Sequence, residues 1–133
     1  MGATNEAQSP EHIRLVKALI ANLKSQGLEI TCADFDGFEK CAETEGRIPD
    51  VRAYIREKEL NVIGEAKTDD DFNNERTEDQ FKKFSSRMMT DGKSKGVEVP
   101  FAIGITQGSE KHLDDCLKKL GLDQKKNIHR YSF

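Results

Sequence analysis

Tryptophan is absent from this chain, prolines and cysteines number only three each, and no apolar run approaches the roughly 18 residues that a membrane-spanning helix needs. The last of these excludes a membrane protein of the helical kind. The first ten residues, MGATNEAQSP, have neither the basic nor the apolar region of a secretory signal, and Glu6 stands where a myristoylation site needs Ser or Thr. Cys32, Cys41 and Cys116 are odd in number and widely spaced, matching neither a disulfide framework nor a CxxC zinc knuckle. These absences predict a cytoplasmic protein with no membrane partner.

What is present suits one domain. A chain of 133 residues can bury a single core, and it shows no repeat, low-complexity tract or linker, so one domain spanning 1–133 is expected, with 1–8 as a flexible N-terminus. The net charge of -3 argues against a surface that is basic all over. Its distribution is uneven: residues 1–81 carry 10 Lys or Arg against 18 Asp or Glu, whereas residues 82–133 carry 11 against 6. An acidic half beside a basic half suits a metal site flanked by a phosphate-binding surface, and solvated charged faces produce the same asymmetry.

Ser9 and Pro10 read as an N-cap and a first-turn proline, and Ile13, Val16, Leu19, Ile20 and Leu23 then recur at helical spacing until Gly27. Residues 28–35 are rich in strand formers and 36–46 read as a polar connection. Residues 51–56 and 61–67 alternate in polarity around a charged turn at 57–60, which predicts a hairpin. A second helix carries Thr77, Phe81, Phe84 and Met88 and ends before Gly92 or Gly96. The apolar run 99–106 predicts a strand covered on both faces, Ser109 opens a third helix reaching Gly121, and 127–133 add a terminal strand. The order αβββαβαβ predicts an α/β fold.

Chemistry gathers on the hairpin. Side chains alternate along a strand, so Val51, Ala53 and Ile55 share one face and Arg52, Tyr54 and Arg56 the other, while Val62, Gly64 and Ala66 oppose Ile63, Glu65 and Lys67. Joining the apolar sets across a four-residue loop at 57–60 pairs Arg52 with Glu65 and Asp50 with Lys67. Two carboxylates and an ammonium then meet at one end. Such a group can hold Mg²⁺ through Asp50, Glu65 and the backbone carbonyl of Ala66 and so hydrolyse a phosphodiester. It can equally be a surface salt bridge worth about 0–1 kcal/mol.

Pro49 and Asp50, fourteen intervening residues, then Glu65, Ala66 and Lys67 resemble the P-D…(D/E)-x-K pattern of the PD-(D/E)XK nuclease superfamily. The elements around the motif are similar to that family's αβββαβ core over residues 9–106. The resemblance implies a restriction-endonuclease-like fold with a mixed central sheet flanked by helices, and metal-dependent endonuclease cleavage of DNA with Mg²⁺ or Mn²⁺. By the same resemblance Asp50 and Glu65 ligate the metal and Lys67 assists the attacking water. It also implies a helix-one acid, for which Glu11 is placed, although a first-turn carboxylate equally serves the helix dipole. Gln80 with Phe84 is similar to the family's Q-x-x-x-Y element, with Phe in place of Tyr.

Arg76, Gln80, Lys83 and Arg87 fall at i, i+4, i+7 and i+11, forming a polar stripe that Lys93 and Lys95 continue. It reads either as a solvent face or as the path along which DNA approaches. A catalytically inactive member of the same fold, binding nucleic acid or a protein partner, is the alternative to an enzyme. A homodimer would place two sites on two strands, though no exposed apolar stripe demands one. Other motifs fail: 34–37 lack the glycine position of a calcium loop, 92–94 lack the earlier glycine of a phosphate loop, and His12, His112 and His129 show no zinc spacing.

Overall fold

A serine that accepts and a proline with fixed φ start helix α1 (Pro10–Ser25): Ser9 Oγ accepts the His12 N–H at 3.1 Å. The computed structural model describes residues 9–133, so the N-terminus expected to be flexible, 1–8, lies outside the described residues. After α1 come β1 (Glu29–Ala33), β2 (Val51–Ile55), β3 (Leu60–Lys67), α2 (Glu75–Ser85), β4 (Phe101–Ile105), α3 (Glu110–Leu120) and β5 (Ile128–Ser132). This is the predicted order. The strands form one mixed sheet in the order β1-β2-β3-β4-β5, antiparallel from β1 to β3 and parallel from β3 to β5. No helix among the described residues is long and apolar enough to cross a membrane.

Period-two alternation divides the core between the two faces of the sheet. On one face, Leu15, Leu19 and Ile20 of α1 join Val51, Ala53, Val62, Ala66 and Ala102. On the other, Ile63, Phe101, Ile103 and Ile105 meet Phe81 and Phe84 of α2 and Leu113 and Leu117 of α3. All five residues of β4 are buried, as expected for a strand covered twice. Gly64 lets α1 settle close to the sheet, and Gly104 makes room for Phe133. A Cβ on Gly64 would lie 3.1 Å from Leu19 Cδ2, and one on Gly104 would lie 3.0 Å from the Phe133 ring.

The structure corrects the sequence reading at three places. The hairpin turn falls one residue early: Arg56 to Lys58 make a short 3₁₀ turn, Glu59 closes it at a φ of 50°, and Ile55 pairs with Leu60. Arg52 therefore faces Ile63, not Glu65. A shift of two residues preserves the faces, so Glu65 and Lys67 keep their side of the sheet. Helix α2 stops at Ser85, where the Asn127 amide donates to the Ser85 carbonyl at 2.9 Å and to the Val99 carbonyl at 3.0 Å. Met88 is thus no part of the apolar stripe; it is 46% exposed and bridges to Glu98.

The third correction concerns cysteine. Cys32, on β1, is disulfide-bonded to Cys41 in the following connection, and Cys116 is free and buried. An odd count leaves room for one pair, and the two residues, distant in pattern, are drawn together by the turn at 34–38. The cysteine pattern no longer argues for a reducing compartment. Thiol titration of the unreduced, denatured protein should count one free thiol per chain instead of three, and closing so short a loop should make the reduced protein less stable by roughly 2–3 kcal/mol in a denaturant titration.

Candidate active site

Asp50 immediately precedes β2, and Glu65 and Lys67 lie near the end of its neighbour β3. The observed register sets them together. The Asp50 backbone N–H donates to Glu65 Oε1 at 2.9 Å, and Asp50 Oδ2 accepts the Ala66 N–H at 2.9 Å. These two bonds extend the antiparallel pairing past Val51 with side chains in place of carbonyls. Lys67 Nζ lies 3.4 Å from Glu65 Oε2 and donates to Gln80 Oε1 of α2 at 2.5 Å. Asp50, Glu65, Lys67 and Gln80 are 6%, 1%, 6% and 3% exposed. The group is no surface salt bridge, because α2 covers it; nor is Gln80 part of a solvent face.

Burial makes this cluster electrostatically expensive. It pushes the Glu65 carboxyl up to about 8, with the negative charge of Asp50 acting in the same direction and Lys67 opposing both. His12, which no motif singled out, lies with Nε2 3.2 Å from Asp50 Oδ2. Burial disfavours its cation, but the Asp50 hydrogen bond and the charges of Asp50 and Glu65 together outweigh that, so its pKa is raised. A signal for His12 was available: Leu15, Val16, Leu19 and Ile20 stand at i+3, i+4, i+7 and i+8 from it, so it belongs to the buried stripe of α1.

Glu11 does not join this group. Its carboxylate accepts from Arg14 Nε and Nη2 at 2.8 and 2.7 Å and from Thr106 Oγ1 at 2.9 Å, and the Arg14 and Thr106 bonds hold it down to about 2. It ties α1 to the end of β4 instead, because it sits off the buried stripe that His12 occupies.

The expected DNA-contacting stripe is also divided. Arg76 lies one helical turn before Gln80 and is half-buried. Lys83 donates to the Glu45 carbonyl at 2.8 Å and pairs with Asp79 at 3.0 Å, while Arg87, beyond the helix end, lies 3.5 Å from Glu45 Oε2. Lys93 and Lys95 belong to the opposite end of the sheet, where the Lys93 ammonium donates to the Glu57 carbonyl at 2.9 Å. Seven strand residues at about 3.3 Å each put that turn about 23 Å from Lys67. The loop following α2 folds back onto the hairpin turn, so it cannot prolong the stripe toward the cluster.

Two carboxylates and a backbone carbonyl are hard oxygen donors that suit Mg²⁺ or Mn²⁺, with water completing the shell. Among the described residues no three His, Cys, Asp or Glu side chains are arranged to hold a metal. The fit rests instead on charge, since a divalent cation relieves the same repulsion that raises Glu65.

The pKa shifts fix the sign of a stability test. Groups raised on folding stabilise fully below their unfolded values and lose that contribution as pH climbs through the folded ones. For Glu65 the window runs from 4.5 to about 8, and His12 acts in the same direction. The carboxylates lowered on folding, such as Asp79, weaken the protein only at more acidic pH. The metal-free protein should therefore unfold at lower denaturant at about pH 8 than at about pH 5.5, and Glu65→Gln should flatten the difference and stabilise the protein at the higher pH, by a shift on the order of a few kcal/mol. A wild-type midpoint that rises across that interval would contradict the assignment.

Comparison with known protein families, with curated proteins and with solved structures finds no match to this chain, so the site is read from its own geometry.

Proposed function

We propose that this protein is a metal-dependent endonuclease that hydrolyses phosphodiester bonds of DNA at a PD-(D/E)XK site on a restriction-endonuclease-like core. One observation carries the reading: Asp50, Glu65 and Lys67 converge at the adjoining ends of β2 and β3, joined by a 2.9 Å bond from the Asp50 N–H to Glu65 and a 3.4 Å contact between Lys67 Nζ and Glu65 Oε2. Asp50, Glu65 and the Ala66 carbonyl would hold Mg²⁺ or Mn²⁺. When bound, such an ion neutralises charge building on the phosphate and lowers the pKa of an attacking water. Lys67 has three N–H donors, of which one goes to Gln80 and one faces Glu65. The third can donate to the water or to a phosphate oxygen. Gln80 is a positioning residue, fixing the ammonium from α2. His12 holds Asp50 from the α1 side.

The alternative, an inactive domain of this fold that binds nucleic acid or a protein partner, also has an observation behind it. None of the three residues is more than 6% exposed, and Asp50 Oδ2 already faces the Ala66 N–H and His12.

Incubation with labelled single-stranded, duplex and branched DNA separates the two readings. Cleavage should require Mg²⁺ or Mn²⁺, and Asp50→Asn, Glu65→Gln and Lys67→Ala should each lower it by roughly 10²-fold or more. Gln80→Ala should reduce kcat more than it raises KM. Metal binding without cleavage of any substrate would leave the inactive reading standing.

A further inference from the structure

We propose that the cavity between Arg52 and Arg87 is a phosphate-binding site, which takes the phosphate group of a phosphate ester. The cavity measures about 250 Å³ and its wall includes Thr44, Arg52, Asn61, Arg87, Met88 and Asp91. Arg52 rises from β2 opposite Ile63, two residues along the strand from Asp50 and on the same face of the sheet. It is therefore a neighbour of the buried cluster without belonging to it.

Arg52 lacks a counter-charge. Its guanidinium donates to the Ala42 carbonyl at 3.0 Å and to the Thr44 hydroxyl, both neutral acceptors, and among the described residues it pairs with no carboxylate. Among the described residues Arg87 pairs with Glu45 alone, across 3.5 Å, and both side chains are about half exposed. Burial, and then the positive charge of Arg87, lower the Arg52 pKa. A half-buried cation facing a second cation is an arrangement that an anion completes.

The donors suit phosphate in particular. A guanidinium has five N–H donors in a planar fork, and Arg52 spends two groups of its fork on protein oxygens, leaving the remainder for phosphate oxygens. Asn61 and Thr90, which carry an amide and a hydroxyl, line the same wall. Met88, 46% exposed, offers an apolar surface to the organic part of an ester. Asp91 is the acid on the wall, and it is exposed, so it acts as a competitor for the arginines. The volume is that of a small group, below the range of drug-sized pockets.

The test uses inorganic phosphate with the whole metal-free protein at constant ionic strength, and repeats it on Glu65→Gln, so that a failure of the nuclease reading leaves the measurement intact. Phosphate should raise the melting temperature and bind in a calorimetric titration, where chloride at equal ionic strength does neither. Arg52→Gln and Arg87→Gln should each weaken binding about tenfold or more, as loss of a charge-assisted bond requires, while Asp91→Asn should tighten it. Should Arg52→Gln fail to fold, Arg87→Gln, at a half-exposed position beyond the end of α2, still decides. A mononucleotide and a single-stranded oligonucleotide then distinguish the source. If the oligonucleotide binds more tightly and each arginine removed lowers its log-affinity against log-salt slope by about 0.7, the site takes strand phosphates; equal binding of both marks a free ester. Phosphate binding that is the same in wild type and both arginine variants overturns the proposal.

Discussion

Two carboxylates and one ammonium are buried together where β2 begins and β3 ends, and the three charges cannot satisfy one another. Burying an ion is tolerated only when partners replace its water, and here the partners fall one cation short. Asp50 draws on the backbone, donating its N–H to Glu65 and accepting that of Ala66. Glu65, with Lys67 at 3.4 Å and Asp50 beside it, relieves the excess by holding its proton up to about 8. The His12 pKa is raised for the same reason. A site that is neutralised by protons when empty is one that a divalent cation can occupy in their place.

The rest of the fold serves to hold these groups. β3 lies in the middle of the sheet, paired with β2 on one side and β4 on the other, so Glu65 and Lys67 stand on a rigid element and not on a loop. Small residues bring the covering helices near. Gly64 allows Leu19 of α1 to approach the sheet, and from the same helix His12 reaches Asp50. From the other face, Phe81 and Phe84 pack edge-on against Phe101 and fix α2, and that helix delivers Gln80 to Lys67. The connection between β1 and β2 is held over α2 by Arg47–Asp79 and by Lys83 on the Glu45 carbonyl.

Much of this was legible in the sequence because it depends on periodicity. The element order, the two faces of the hairpin and the shared position of Asp50, Glu65 and Lys67 all follow from alternation, and a two-residue slip in register leaves alternation untouched. What did not follow depends on tertiary partners. The end of α2 draws on the Ser86 hydroxyl, which donates to the Lys82 carbonyl, and on Asn127, which reaches the Ser85 carbonyl from 42 residues away. Lys93 and Lys95 continue a basic run in sequence but fold back to the far end of the sheet, and Cys32 meets Cys41 through a turn. Glu11 stands off the apolar stripe of α1, whereas Leu15, Val16, Leu19 and Ile20 place His12 on it, so the α1 partner of Asp50 is legible in that periodicity. Burial of the cluster was missed because a hairpin rich in charge reads as exposed until a covering helix is placed.

If a divalent cation takes the place of the protons that otherwise relieve the charge of the Asp50–Glu65 cluster, its binding must release them. Calorimetric titration of the metal-free protein with Mn²⁺ near neutral pH, in buffers of different ionisation enthalpy, tests it most directly by counting protons as the ion binds. One Mn²⁺ should bind per chain with release of close to one proton, diminishing above about pH 8 as Glu65 loses its proton beforehand. Absence of binding, or binding that releases no proton, would place any metal away from Glu65 and contradict the claim.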